Sequence, residues 1–113
     1  MSAITTHILD TSLGRPAANV KVRLEFLDHG EWKRVGGGTT NDDGRVADLV
    51  NEDFTFTAGH YRIEFVVADH FKAQNVESFY PYVKIVFVVK DTESHYHVPL
   101  LLNPFGYSTY RGS

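Results

Sequence analysis

Two histidines, His7 in ITTHILD and His97 in HYHVPLLL, sit inside apolar segments of this chain. An imidazole has an ordinary pKa of about 6.5, so near neutral pH it can either take a proton or give one. Two imidazoles beside one arginine supply a base, an acid and an anion clamp. Arg45, in TNDDGRV, is the arginine that could complete the set. Each of the three also has a plainer meaning: a strand histidine as a surface or structural residue, Arg45 as a solvated turn arginine. His95 opens another possibility, because a His-x-His strand turns both rings to one face. With His7 as third ligand the cluster imitates a three-histidine zinc site. No acidic residue stands where it would orient such ligands, so the metal-free reading is preferred. No G-x-S-x-G elbow surrounds Ser108 or Ser113, and the chain offers no phosphate loop and no cysteine nucleophile.

Hydrophobicity with period two must position these groups. In VKVRLEFL, Val20, Val22, Leu24 and Phe26 fall on one face and Lys21, Arg23 and Glu25 on the other, the pattern of a half-buried strand. HYRIEFVV repeats it with Tyr61, Ile63, Phe65 and Val67 inward. YVKIVFVVK is apolar on both faces toward its end, as a covered strand is. The same parity puts Tyr96, Val98, Leu100 and Leu102 in the core and leaves His95, His97, Pro99 and Leu101 on a face too apolar for ordinary surface. Such a face belongs to a cleft or a subunit contact. In ITTHILD, Ile4, Thr6 and Ile8 point inward and Thr5, His7 and Leu9 outward. DHFKAQN has no β character and reads as one or two helical turns with Asp69 as N-cap. Turn signals lie at SLGRPA, at GGG (36–38), at NDDG (41–44) and at NPFG (103–106). The tail FGYSTYRGS reads as an ordered edge strand, with Ser108, Tyr110 and Gly112 on one face. The fold class expected is an all-β, two-sheet antiparallel sandwich with one short helix.

Composition narrows the function. At 113 residues the chain fits one domain, 1–113. Eleven Lys and Arg against fourteen Asp and Glu give a net charge of -3 without basic runs, which argues against nucleic acid or anionic membrane as partner. The absence of cysteine rules out disulfides and fits a reducing compartment. MSAITTHILD has no basic stretch leading into a long apolar run, so no signal peptide is expected. No apolar run is long enough to span a bilayer. A cytoplasmic protein is the expectation.

HILDTSLGRPA, TNDDGR, HYHVPLLL and a closing YRGS occur here in the order found in the transthyretin-related 5-hydroxyisourate hydrolases, and the resemblance runs from His7 to Ser113. Asn103 stands where serine is common in that family, and Phe105-Gly106 also varies the turn before the last strand. The resemblance implies a transthyretin-like sandwich that pairs into dimers and then a homotetramer, with sites in a channel at the dimer-dimer interface. It implies His7, Arg45 and His97 as catalytic residues and Tyr110, Ser108 and Ser113 at the substrate pocket, with neither cofactor nor metal. The implied reaction is hydrolysis of 5-hydroxyisourate to 2-oxo-4-hydroxy-4-carboxy-5-ureidoimidazoline. The alternative is a non-enzymatic carrier of a small aromatic ligand, as transthyretin carries hormone.

Overall fold

Strands form where the period-two pattern is strongest in the computed structural model, which describes residues 3–113. Among these the order is β1 (Ile4–Asp10), β2 (Arg15–Pro16), β3 (Lys21–Asp28), β4 (Glu31–Thr39), β5 (Arg45–Val46), β6 (Gly59–Val66), α1 (Ala68–Lys72), β7 (Val83–Val89), β8 (Tyr96–Asn103) and β9 (Gly106–Thr109). One sheet runs β2-β1-β8-β9, with β5 also pairing β1, and the other runs β4-β3-β6-β7. Ladders are antiparallel except that of β1 with β8, which is parallel from Ile4↔Tyr96 to Asp10↔Leu102. This is the expected sandwich of two largely antiparallel sheets.

The inward parity matches the pattern residue by residue. Ile4, Ile8, Val22, Leu24, Ile63, Phe65, Leu100 and Leu102 are buried, and so is Thr6, whose Oγ1 donates to the Val98 carbonyl at 2.6 Å. Tyr61 is fully buried among Phe26, Phe54, Phe56 and Phe87. Its hydroxyl donates to the Thr57 carbonyl at 2.6 Å, which satisfies the one polar atom that a buried tyrosine must pair.

Three details depart from the sequence reading. The Gly36–Gly38 run lies inside β4 and is not a turn. A Cβ at Gly36 would collide with the Leu49 carbonyl, and one at Gly38 would come within 2.9 Å of Val46, so these two glycines serve the close passage of the 46–50 segment over β4. The hairpin turn lies earlier, at His29 and Gly30, where both φ angles are positive as a two-residue hairpin loop requires. Second, α1 starts two residues early: Val67 is the N-cap without a side-chain cap bond, and Asp69 lies in the first turn. Third, β7 is an edge strand, with Val86 53% and Val88 45% exposed, so nothing among the described residues covers its outer face. No helix among the described residues is long and apolar enough to cross a membrane.

Asp10 ties the end of β1 to the helix. Its buried carboxylate accepts hydrogen bonds from Ser12 N and Oγ (3.0 and 2.5 Å), Leu13 N (3.2 Å) and His70 Nε2 (2.7 Å). Burial pushes the Asp10 pKa up, yet the bonds from Ser12, His70 and Leu13 and the His70 charge outweigh that and hold it below the ordinary carboxylate value. Its stabilising contribution is therefore present at neutral pH and is lost as pH falls through the depressed folded-state value. Replacing Asp10 by Ala strands His70 and two backbone donors, and should cost about 3 kcal/mol. Urea denaturation measures this; a loss under about 1 kcal/mol would show that the junction does not depend on the carboxylate.

Candidate active site

The outward face of the β1 sheet is laid out by its ladders. Parallel pairing sets Thr5 beside His97 and His7 beside Pro99. On the other side of β1, antiparallel pairing sets Arg45 directly opposite His7. Side chains of directly paired residues project to the same face, with Cβ atoms about 5 Å apart, so the guanidinium stem and the His7 ring rise together. On the far side of β8, Leu101 pairs with Ser108, and the same register continues past β9 to a bridge between His97 and Gly112. Ser108 and Gly112 thus share the histidine face.

A turn holds Arg45 in place. The Asn41 side-chain carbonyl accepts from Asp43 N at 2.9 Å and from Arg45 N at 3.0 Å, while Gly44 N donates to Asn41 O at 2.9 Å. Gly44 has φ +73°, and its carbonyl accepts from Ile8 N at 2.8 Å. A Cβ there would fall 2.5 Å from the Ile8 carbonyl, so glycine is needed on both conformational and steric grounds. The NDDG signal in the sequence is the turn that delivers the arginine to β1.

The His97 ring stands in a slot. Its Nδ1 is 2.7 Å from Thr5 Oγ1 on the β1 side. On the β9 side a Cβ at residue 112 would lie 2.6 Å from its Cδ2. The bridge is closed by Gly112 N donating to the His97 carbonyl at 2.8 Å. With Nδ1 toward one strand and Cδ2 toward the other, the distal ring edge carrying Nε2 points off the sheet.

Electrostatics favour neutral rings. Burial lowers the His97 pKa most, followed by the charges of Arg45, His7 and His95. Burial again leads at His7, with Arg45 second, and the Asp43 carbonyl and carboxylate oppose them without reversing the result. A neutral imidazole near neutral pH is able to accept a proton, and a guanidinium beside it is able to hold developing negative charge.

The remaining site candidates are more scattered. Ser108 lies two rows along from His97, beside Leu101. Tyr110, 58% exposed, lines a cleft of about 220 Å³ that opens between β7 and β9 and includes Ile85, Phe87 and Arg111. Ser113 follows the bridge and is exposed. His7, His95 and His97 do not form a metal-holding group among the described residues; the Thr5 hydroxyl stands between His95 Nε2 (3.1 Å) and His97. Sequence reasoning passed over Thr5 and Gly112 as functional residues. Both were on the correct face by parity, but only the ladder register brings them against His97.

A family model described as HIUase/Transthyretin family matches residues 4–112. The 5-hydroxyisourate hydrolase of Caulobacter vibrioides is 44% identical over 117 residues, covering all of both chains. The solved structure of Klebsiella pneumoniae 5-hydroxyisourate hydrolase is 37% identical, with TM-score 0.82 over 99% of this chain and 100% of that one. Sea bream transthyretin, solved in complex with thyroxine, is 30% identical, with TM-score 0.90 over 97% and 94% of the two chains.

Shared burial and a shared guanidinium make the site's titration testable. Replacing Arg45 with Gln should raise the pKa of both His7 and His97, read by NMR titration of the ring protons. Unchanged values for both would mean that the arginine side chain does not reach the histidine face.

Proposed function

The chain belongs to the HIUase/transthyretin family, and from that membership we propose that it is a 5-hydroxyisourate hydrolase acting in urate degradation, like its named relatives. The observation that carries this reading over the carrier alternative is chemical. Arg45 is paired across from His7, with His97 one strand away and both imidazoles held toward their neutral form. A channel built only to carry an aromatic ligand has no use for that combination.

Water attacks the C6 carbonyl of the bicyclic substrate while a neutral histidine removes its proton. Arg45 binds substrate oxygens and stabilises the negative charge of the tetrahedral intermediate. The C6–N1 bond then breaks, and the departing nitrogen takes up, directly or through the second imidazole, the proton that the first imidazole removed from water. The product is the ring-opened ureidoimidazoline carboxylate, and atoms balance with one water consumed. Tyr110, Ser108 and Ser113 complete the substrate pocket in this proposal. The cysteine-free chain suits a cytoplasmic setting.

The same reading includes a homotetramer with sites between dimers. Its support is the apolar surface left on two strand edges: Val86 and Val88 on β7, and Tyr107 and Tyr110 at and beyond β9. Unpaired edges with exposed apolar side chains are what a second copy covers. Burial of the histidine face by a neighbouring chain also excludes bulk water and strengthens its polar interactions.

With freshly generated 5-hydroxyisourate followed by absorbance decay, His97→Ala and Arg45→Ala should each lower kcat/KM by about 10²- to 10⁴-fold. Wild-type rates from both would end the assignment, and saturable binding of aromatic ligands without turnover would favour the carrier. Because the reaction needs neutral imidazole, activity should hold at neutral pH and fall only as pH drops through the lowered histidine pKa values. A rate that rises on acidification contradicts the base role. Light scattering tests the assembly, and a monomer at assay concentration overturns the interface site.

A further inference from the structure

We propose that Thr5 is a positioning residue for the reaction: its hydroxyl accepts the Nδ1–H of His97 and donates to Nε2 of His95, which fixes His97 with a bare Nε2 turned to the substrate. The inference rests on the hydrolase reading and adds the identity of the base. A threonine hydroxyl has one proton, yet here it lies between two imidazole nitrogens, at 2.7 Å from His97 Nδ1 and 3.1 Å from His95 Nε2. It can donate to only one of them and must accept from the other. The direction of this short chain decides which nitrogen of His97 holds the proton.

The slot geometry and the surrounding charges select the direction. The His97 ring is fixed between Thr5 on β1 and Gly112 beyond β9, so Nε2 is the nitrogen on the open face. The groups around that face are Arg45 from β5, His7 from β1 and His95 on the same strand, whereas Arg111 lies over the Tyr96 ring on the core side of β8. Among them the permanent cation that acts on His97 most strongly is Arg45. A neutral imidazole is negative at its bare nitrogen and positive at its N–H. A lone pair on the face shared with a guanidinium is therefore favoured over an N–H there. The opposite arrangement, with Thr5 donating to Nδ1, leaves Nε2 protonated and unable to activate water.

Nitrogen-15 NMR of the histidine rings, recorded above their titration range, reads the tautomer directly. Wild-type His97 should appear as the Nδ1–H form. Thr5→Val keeps the side-chain shape and removes the hydroxyl. His97 should then shift toward the Nε2–H form that free imidazole prefers, and kcat should fall about 10- to 100-fold with KM within about twofold. Thr5→Ser should restore the wild-type tautomer and most of the rate. Nε2–H in the wild type, or a tautomer unmoved by Thr5→Val, overturns the inference. If Thr5→Val does not fold, the wild-type and Thr5→Ser spectra still decide it. The hydrolase reading fails separately: full activity in His97→Ala removes the catalytic role of the ring whatever its tautomer.

Discussion

The parallel ladder between β1 and β8 is the constraint from which the site follows. It joins residues about ninety positions apart, from Ile4↔Tyr96 to Asp10↔Leu102. Its inner face contributes Ile4, Ile8, Val98 and Leu100 to the core. Slipping the register by one residue would turn that set outward, so burial of the inner face locks the alignment. The outer face has no choice but to follow. Thr5 meets His97, and His7 lies one row above them, because the core on the other side of the sheet is packed.

Short elements at the two edges of this ladder complete the arrangement. On one edge the Asn41–Gly44 turn presses Gly44 against β1 and sets Arg45 across from His7. On the other, the tail after β9 keeps register as far as Gly112, whose missing side chain leaves room for the His97 ring. Glycine does different work in the two places. At 44 it supplies a positive φ in a tight turn, and at 112 it supplies space. The polar junction at Asp10 performs a third service by holding the far end of β1 to α1 through His70.

The surface that remains is uneven in a way that fits assembly. The outer face of the second sheet is laced with charge pairs, Arg23 with Glu64 at 3.1 Å and Arg62 with Glu25 at 2.8 Å, and Arg62 lies over the Trp32 ring. Such a face is content in water. The β7 edge is not, since its outward valines have no cover among the described residues. The strand that the sequence marks as apolar on both faces leaves its second face exposed among the described residues.

The sequence by itself determined the strands, their inward faces and the family. Period-two alternation in residues 4–8, 20–26, 61–67 and 96–102 is a local property, and each inward residue could be named before any partner strand was known. His7, Arg45 and His97 stood out as site candidates through ordered motifs, HILDTSLGRPA, TNDDGR and HYHVPLLL. What only the tertiary structure decided is which outward residues touch. The register between β1 and β8, the pairing of Arg45 with His7, the contact of Thr5 with His97 and the clearance at Gly112 depend on strands far apart in sequence. The glycines at 36–38 looked like a turn for the same reason, since the segment they make way for, 46–50, is visible only in three dimensions. Alternation says which way a side chain points, whereas register, set by packing the whole core at once, says what it meets.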